Sequence, residues 1–305
     1  MNLKTKTRNI LFIINPKSGP GLFPKLDQRI DNYLKDSDII LTIKKTEYAG
    51  HATELCREAI NSSERIDAIV VAGGDGTVNE VVNGIGLSGM PLGIIPTGSG
   101  NGLARHLGIS MLPFWSIKNI IHGQVMAIDM MKIGKNTYAA NVTGVGFDAI
   151  ISSKFQFSKI RGPIAYAKLI LEEFIKYKSS TYEIKIDGKK IVVDSAMITA
   201  ANSSQFGNNV YIAPSASLTD GFINLCILKP FPKALALDIV TKLMTKQIEN
   251  SKYYSRYLAK KITIKQKKAT FQIDGEPIKE KRKIKIKVLE KSLNIIVPIK
   301  SINKI

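Results

Sequence analysis

The chain has 305 residues, 44% hydrophobic and 23% charged, and its 44 Lys and Arg against 25 Asp and Glu give a formal net charge of +19. That length supports two domains with separate cores, and the composition excludes a disordered or low-complexity protein. No apolar run reaches the roughly eighteen residues of a membrane-spanning helix, and MNLKTKTRNI leads into too short an apolar run for a signal peptide, so a cytosolic setting is expected. The charge implies affinity for polyanions, and without a helix-turn-helix, zinc-finger or basic-aromatic RNA motif, nucleic acid is the weaker partner. Cys56 lies in a helical pattern and Cys226 in a strand-like one, with no metal or redox spacing between them.

In chain order, residues 9–14 (NILFII) form a strand of the fully buried type that ends in Asn15, Pro16, Lys17, Ser18 and Gly19, a phosphate-loop candidate without Walker spacing. Leu26, Ile30 and Leu34 mark a helix, 39–43 a strand with Thr46 just past its end, and 52–60 a second amphipathic helix. Ile69, Val70 and Val71 form the next buried strand, which breaks into Gly73, Gly74, Asp75, Gly76 and Thr77 before Val78, Val81 and Val82 resume at helical spacing. Three glycines around one aspartate let the backbone turn its N–H groups toward phosphate oxygens, and the helix start adds its positive dipole end. Asp75 is then the sole anion in a site built for anions, which makes sense if a divalent cation bridges carboxylate and phosphate; the plain alternative is a helix cap. Residues 92–96 lead into a third such loop, Thr97, Gly98, Ser99, Gly100 and Asn101, ahead of another helix. Three glycine loops after three apolar strands indicate backbone wrapped around one polyphosphate ligand, at the C-terminal strand ends of a doubly wound parallel sheet. Arg105 fits a charge network at the edge of that site with an acid such as Asp129.

After the helical stretch 113–123 the alternation stops, and the domain boundary is expected near residue 126, giving domains 1–126 and 127–305 with room for the last residues to pack back on the first. Asp148 reads as a helix cap, followed by a helix over 164–178. Strands at 181–187 and 190–193 are joined by Asp187 and Gly188, the strongest short hairpin signal in the chain. Further strands at 195–201, 222–228, 260–265, 269–273, 282–288 and 292–297, with a helix near 232–247, give a mostly antiparallel β-sandwich. Asp274 and Gly275 read in isolation as a turn. Lysines and isoleucines alternate along 279–287, as on a solvated edge strand blunted by charge, or as on a surface docking anionic lipid headgroups.

GGDGT followed by VNEVVNG resembles the nucleotide-binding signature of the diacylglycerol kinase catalytic domain family, which includes bacterial soluble lipid kinases and the sphingosine and ceramide kinases. NPKSG, GIIPTGSGNGLAR, NVTGVGFDA and DGEP follow the family's order over nearly the full chain. The resemblance implies an α/β ATP-binding domain, a β-sandwich domain and an active site in the cleft between them. It implies ATP and Mg²⁺ as cofactors, with nucleotide contacts from Asn15, Pro16, Lys17, Ser18, Gly19, Thr46, Gly73, Gly74, Asp75, Gly76, Thr77, Asn79, Glu80, Thr97, Gly98, Ser99, Gly100 and Asn101. It implies catalysis by Asp75 with Asp274 or Glu276, and a structural Mg²⁺ at Ser217, Asp220 and the carbonyl of Phe222. The expected activity is transfer of the γ-phosphate to a diacylglycerol or sphingoid- or ceramide-type lipid at an anionic membrane surface, by a cytoplasmic, peripheral protein that does not bind nucleic acid and for which a homodimer is open. NAD kinases and phosphofructokinases carry a shorter version of the signature, so an NAD or sugar kinase is the competing reading, beside a nucleotide-regulated membrane-binding protein.

Overall fold

The computed structural model describes residues 7–19, 25–147, 149–151, 154, 169, 171–173, 177, 179–266, 270–279 and 282–301. Asp148 and most of the helix expected over 164–178 lie outside the described residues. The chain divides into two units, Met1–Ile128 with Ser292–Ile305, and Asp129–Lys291.

The first unit alternates strand and helix: β1 (Arg8–Ile14), α1 (Leu26–Leu34), β2 (Ile39–Lys45), α2 (His51–Asn61), β3 (Ala68–Gly73), α3 (Asp75–Ile85), β4 (Leu92–Pro96), α4 (Gly102–His106) and α5 (Pro113–His122). The strands pair in parallel in the order β2-β1-β3-β4, with Ile10 opposite Leu41 on one side and Ala68 on the other. β3 and β4 are buried along their whole length, as their continuous apolar runs require, whereas edge strand β2 shows alternating exposure. Helix α1 packs Leu26, Ile30 and Leu34 onto a core of Phe12, Val70, Ile95 and Ile120. Because the order reverses between β1 and β3, the loops after these two strands flank a topological switch point, where open α/β sheets bind ligands.

β5 (Gln124–Ile133) carries the chain into the second unit, followed by β6 (Thr137–Ala139), β7 (Val142–Gly146), β8 (Ser180–Ile186), β9 (Lys189–Ser195), β10 (Met197–Ala201), β11 (Gln205–Gly207), β12 (Val210–Tyr211), β13 (Ile223–Leu228), α6 (Ala236–Met244), β14 (Tyr254–Ala259), β15 (Lys261–Lys265), β16 (Thr270–Ile273), β17 (Glu276–Lys279) and β18 (Lys283–Val297). One sheet runs β14-β13-β10-β7-β16-β17, antiparallel throughout; facing it are β18, β15, β8 and β9, with β5 also pairing β18. Ile184, Ile262 and Ile284 meet Ile198, Leu225 and Phe271 between the sheets. On its other side the first sheet is covered by α6, through Ile239 and Leu243 against Met197 and Cys226. The whole is a two-domain protein, α/β then β-sandwich.

The sequence reading has two strands, 282–288 and 292–297, where the structure has one, β18. In the structure Lys291 keeps the strand going in a left-handed conformation (φ 47°), its N–H donating to Asp129 Oδ1 at 2.7 Å. β18 then ends inside the first unit, where Ile295 pairs with Leu92. The edge-strand reading of 279–287 also fails. β18 has β15 on one side, and on the other Gly134 donates to the carbonyl of Lys285 at 2.9 Å.

Candidate active site

The three glycine loops are packed backbone to backbone in the first unit. A Cβ on Gly98 would lie 2.4 Å from Gly74 Cα, and one on Gly19 would lie 2.3 Å from the carbonyl oxygen of Thr97. Gly19 also holds φ at +77°, open to glycine at little cost. Side chains tie the loops together. Asn15 Nδ2 donates to Thr77 Oγ1 at 2.8 Å and Asn15 Oδ1 accepts the amide of Lys17 at 2.9 Å, while Asn101 Nδ2 donates to the carbonyl of Gly98 at 2.7 Å. The backbone completes the connection: Thr97 N–H donates to Gly73 and Thr46 N–H to Ile14.

The helix starts beside these loops differ. The first amides at α4, those of Asn101 and Gly102, donate to the two carboxylate oxygens of Asp75 at 2.7 and 2.8 Å. Those at α2 belong to Glu80, which accepts from Gly50 and Ala52. The N-cap of α3 is Gly74, which has no side chain to offer its amides. A helix amino end opened by glycine, beside a cradle of glycine backbone, is suited to an anion. Lys17 is exposed, Ser18 is half-buried, and Thr97 Oγ1 is buried without a hydrogen-bond partner among the described residues. An orphaned buried hydroxyl is the kind of group a ligand oxygen satisfies. The residues therefore fit a polyphosphate.

Asp75 accordingly clamps the second loop to the third. Burial pushes its carboxyl up to about 6, opposed by the amides of Gly102 and Asn101 and by the charge of Arg105. Each oxygen accepts one amide, leaving a lone-pair direction for a hard cation. Arg105 is engaged inside its own unit, donating from Nε to the carbonyl of Gly100 at 2.9 Å. Asp129, in the second unit, gives its oxygens to the amides of Gly221 and Lys291. Asn79 accepts from the side-chain amide of Asn83, one turn along α3.

In the second unit, Asp274 and Gly275 form the two-residue loop of the β16–β17 hairpin, with φ of 47° and 89°. The Asp274 side chain is buried and accepts amides from Ala140, Asn141 and Val142 at 3.0 to 3.1 Å. Glu276 opens β17 opposite Ile273 and is half-buried. A buried polar belt that sequence reasoning missed surrounds the turn: Ser203 donates to Asn141, and Asn202 donates to the carbonyls of Asp129 and Ala140, its own Oδ1 having no partner among the described residues. The polar run Asn202, Ser203, Ser204 and Gln205, directly after an apolar strand, was the available signal.

Of the residues expected at a structural cation, Asp220 is exposed and its Oδ1 accepts the amide of Phe222 at 2.9 Å, while Ser217 Oγ accepts that of Thr219. One carboxylate with a hydroxyl and a carbonyl suits a hard cation that keeps most of its waters. Among the described residues no group of three or more His, Cys, Asp or Glu is arranged around a metal. No helix among them is long and apolar enough to cross a membrane.

Residues 9–133 match the family described as the diacylglycerol kinase catalytic domain, and residues 141–297 match the YegS C-terminal NAD kinase beta sandwich-like domain. A diacylglycerol kinase of Bacillus subtilis is 29% identical over 271 residues, covering 87% of this chain and 88% of its own. An uncharacterized Synechocystis protein is 27% identical over 98% of this chain and 72% of its own length. The crystal structure of a diacylglycerol kinase from Bacillus anthracis superposes with a TM-score of 0.76 at 24% identity, over 98% of this chain and 100% of that one, and so shares the fold.

Proposed function

Since the chain belongs to the diacylglycerol kinase catalytic domain family, with a C-terminal domain of the YegS type, we propose that it is an ATP-dependent lipid kinase acting on the hydroxyl of a diacylglycerol or of a sphingoid- or ceramide-type lipid. The observation that carries this reading is the packing of three glycine loops to within contact of one another at the Gly74 start of α3. Bound ATP supplies the phosphoryl group, and Mg²⁺ at Asp75, directly or through water, supplies countercharge; Asp220, Ser217 and the Phe222 carbonyl are the residues that would hold a further, structural ion.

The chain's own residues then position and neutralise. Amides at the start of α3 and the ammonium of Lys17 meet the phosphates, and Thr97 Oγ1 gains the partner it lacks. Asn15, Thr77 and Asn101 keep the loops in register. In the transfer, the acceptor oxygen forms a bond to the γ-phosphorus as the bond to the bridging β–γ oxygen breaks, and the hydroxyl proton passes to a carboxylate. That carboxylate comes from the hairpin of Asp274 and Glu276. Asp274 holds the amides of residues 140–142 and Glu276 is reached by solvent, so D274N and E276Q separate support from proton transfer: the base is the residue whose loss lowers kcat with little change in ATP affinity.

The test is labelled ATP offered with a lipid extract, NAD and sugars in parallel, with products identified by mass. Label in lipid is expected. Label in NAD or sugar overturns the acceptor class, and ATP binding without transfer to anything makes the protein a nucleotide-regulated binder. The reading also sets the protein at the surface of a membrane, since its acceptor resides there.

A further inference from the structure

The outward face of β9, β8, β15 and β18 carries charge in an unusual arrangement. The inward residues of these strands are the isoleucines of the sandwich core, so alternation puts every second residue outside. There the register opposes lysine to lysine: Lys261 faces Lys287, Lys265 faces Lys283, and Lys185 faces Lys190, while Lys285 faces Thr263. Like charges directly opposite on one sheet face are destabilising in the free protein. The face carries two acids: Glu183, already paired to Lys190 at 2.8 Å and Lys265 at 2.6 Å, and Asp194, which accepts from Thr181 Oγ1 at 2.5 Å. Among the described residues, Lys185, Lys261, Lys283, Lys285 and Lys287 have no ion-pair partner. An open basin of about 570 Å³ lies over the middle of the face, between Lys185, Lys190, Lys265, Lys283 and Lys285.

We propose that this lysine face docks the anionic headgroups of a lipid bilayer. The inference rests on the lipid-kinase reading only in taking a membrane as the site of the acceptor. Its physical argument is charge complementarity. Strand spacing and rise place the lysines on a grid of about 5 by 7 Å, a planar array of compact point charges. A planar array matches many monovalent phosphates in a plane and does not enclose one ligand. The face positions 181, 183, 185, 190, 192, 194, 261, 263, 265, 283, 285 and 287 hold no arginine and no aromatic ring, the groups that grip a nucleic-acid strand by forked hydrogen bonds and stacking. Val192, 64% exposed, is the large apolar side chain on the face. Attachment is therefore electrostatic and reversible, and an anionic layer relieves the lysine pairs that oppose one another.

The experiment is flotation of the full chain, without nucleotide, on vesicles of phosphatidylcholine alone or with about 30 mol% phosphatidylglycerol. The wild type is compared with K283S/K285S/K287S and with a second variant, L112S/F114S/W115S, since Leu112, Phe114 and Trp115 form an exposed apolar cluster in the first unit. At about fivefold per lysine, the triple lysine variant is expected to bind the anionic vesicles roughly a hundredfold more weakly. Its melting temperature should stay level or rise, because the opposed pairs lose repulsion, which excludes misfolding as the cause. Unchanged vesicle binding by the lysine variant overturns the proposal. So does loss of binding confined to the apolar-cluster variant, or tighter binding of a duplex RNA than of vesicles at equal charge and salt. Flotation involves no phosphoryl transfer, so its failure is distinguishable from a failure of the kinase reading, which shows instead as absent label in lipid.

Discussion

On the readings proposed above, the two units meet anions by opposite means. In the first, negative charge is to be held by peptide N–H groups on packed glycine loops, fixed in place by Asp75, Asn15 and Asn101 and assisted by the exposed Lys17. In the second, it is to be held by mobile ammonium groups standing on a sheet, with no fixed geometry around them. The first arrangement needs no reorganisation when charge develops and is indifferent to bulk salt; the second is long-ranged and collapses as the Debye length shortens below about 10 Å. On these proposals recognition and chemistry are assigned to the rigid donors, and attachment to the loose ones.

The sharpest break in that comparison is Asp75→Asn. Removing the charge while keeping the shape should lower kcat at least about a hundredfold and leave flotation on anionic vesicles unchanged. A variant with normal kinetics would take Asp75 out of the mechanism. Gly98→Ala comes next. Its new Cβ would stand 2.4 Å from Gly74 Cα and force the loops apart. ATP affinity measured by calorimetry should fall about tenfold or more, again without effect on vesicles, as expected where fit alone is disturbed.

Thr97→Val sharpens the contrast in a different way. The Oγ1 of Thr97 is buried and unpaired, so an isosteric apolar replacement should stabilise the ligand-free protein by about 1 kcal/mol, while raising KM for ATP. A variant that is destabilised would mean that the hydroxyl already has a partner. The smallest effect is on pH. Burial raises Asp75 from its ordinary 3.8 to about 6, so the stability this group contributes is fully present below 3.8 and is lost as pH rises through 6. Glu183 goes the other way: the hydrogen bonds from Lys190 and Lys265 lower it from 4.5 to about 2, giving stability present above 4.5 and lost as pH falls through 2. In denaturant melts the difference from the wild type should change between pH 3.8 and about 6 for D75N and between about 2 and 4.5 for E183Q; a change for D75N confined below 3.8, or for E183Q above 4.5, would contradict the assigned causes.

The glycine loops were legible because each follows a short apolar strand, a pattern carried by contiguous residues. The same locality made the Asp187 and Gly188 hairpin readable, and it forms with Ile186 opposite Lys189. What was not legible depends on distant pairing. Nothing near Asp274 announces that its carboxylate accepts amides from Ala140, Asn141 and Val142. Glu80 reads as part of a signature, yet its oxygens go to the amides of Gly50 and Ala52. β14 was missed because its central residues, Ser255 to Leu258, are half-buried or exposed and lack apolar alternation. The lysine run of β18 was taken for an edge because strand order cannot be read from composition.

β18 also sets a timetable. The second unit is spliced into the first, entered within β5 and left within β18, so the first unit receives Leu293, Ile295, Ile296 and Val297 only after the whole sandwich has been synthesised. Until then β4 lacks the strand that pairs with Leu92, and Asn119 lacks the carbonyl of Ile296 that its side chain meets at 3.2 Å. On the ribosome, an N-terminal nucleotide unit ordinarily matures first. Here its closing contact spans about two hundred residues, a loop whose closure slows folding and leaves an open sheet edge in the meantime. The glycine loops gain their fully supported sheet last, when the lysine face already exists.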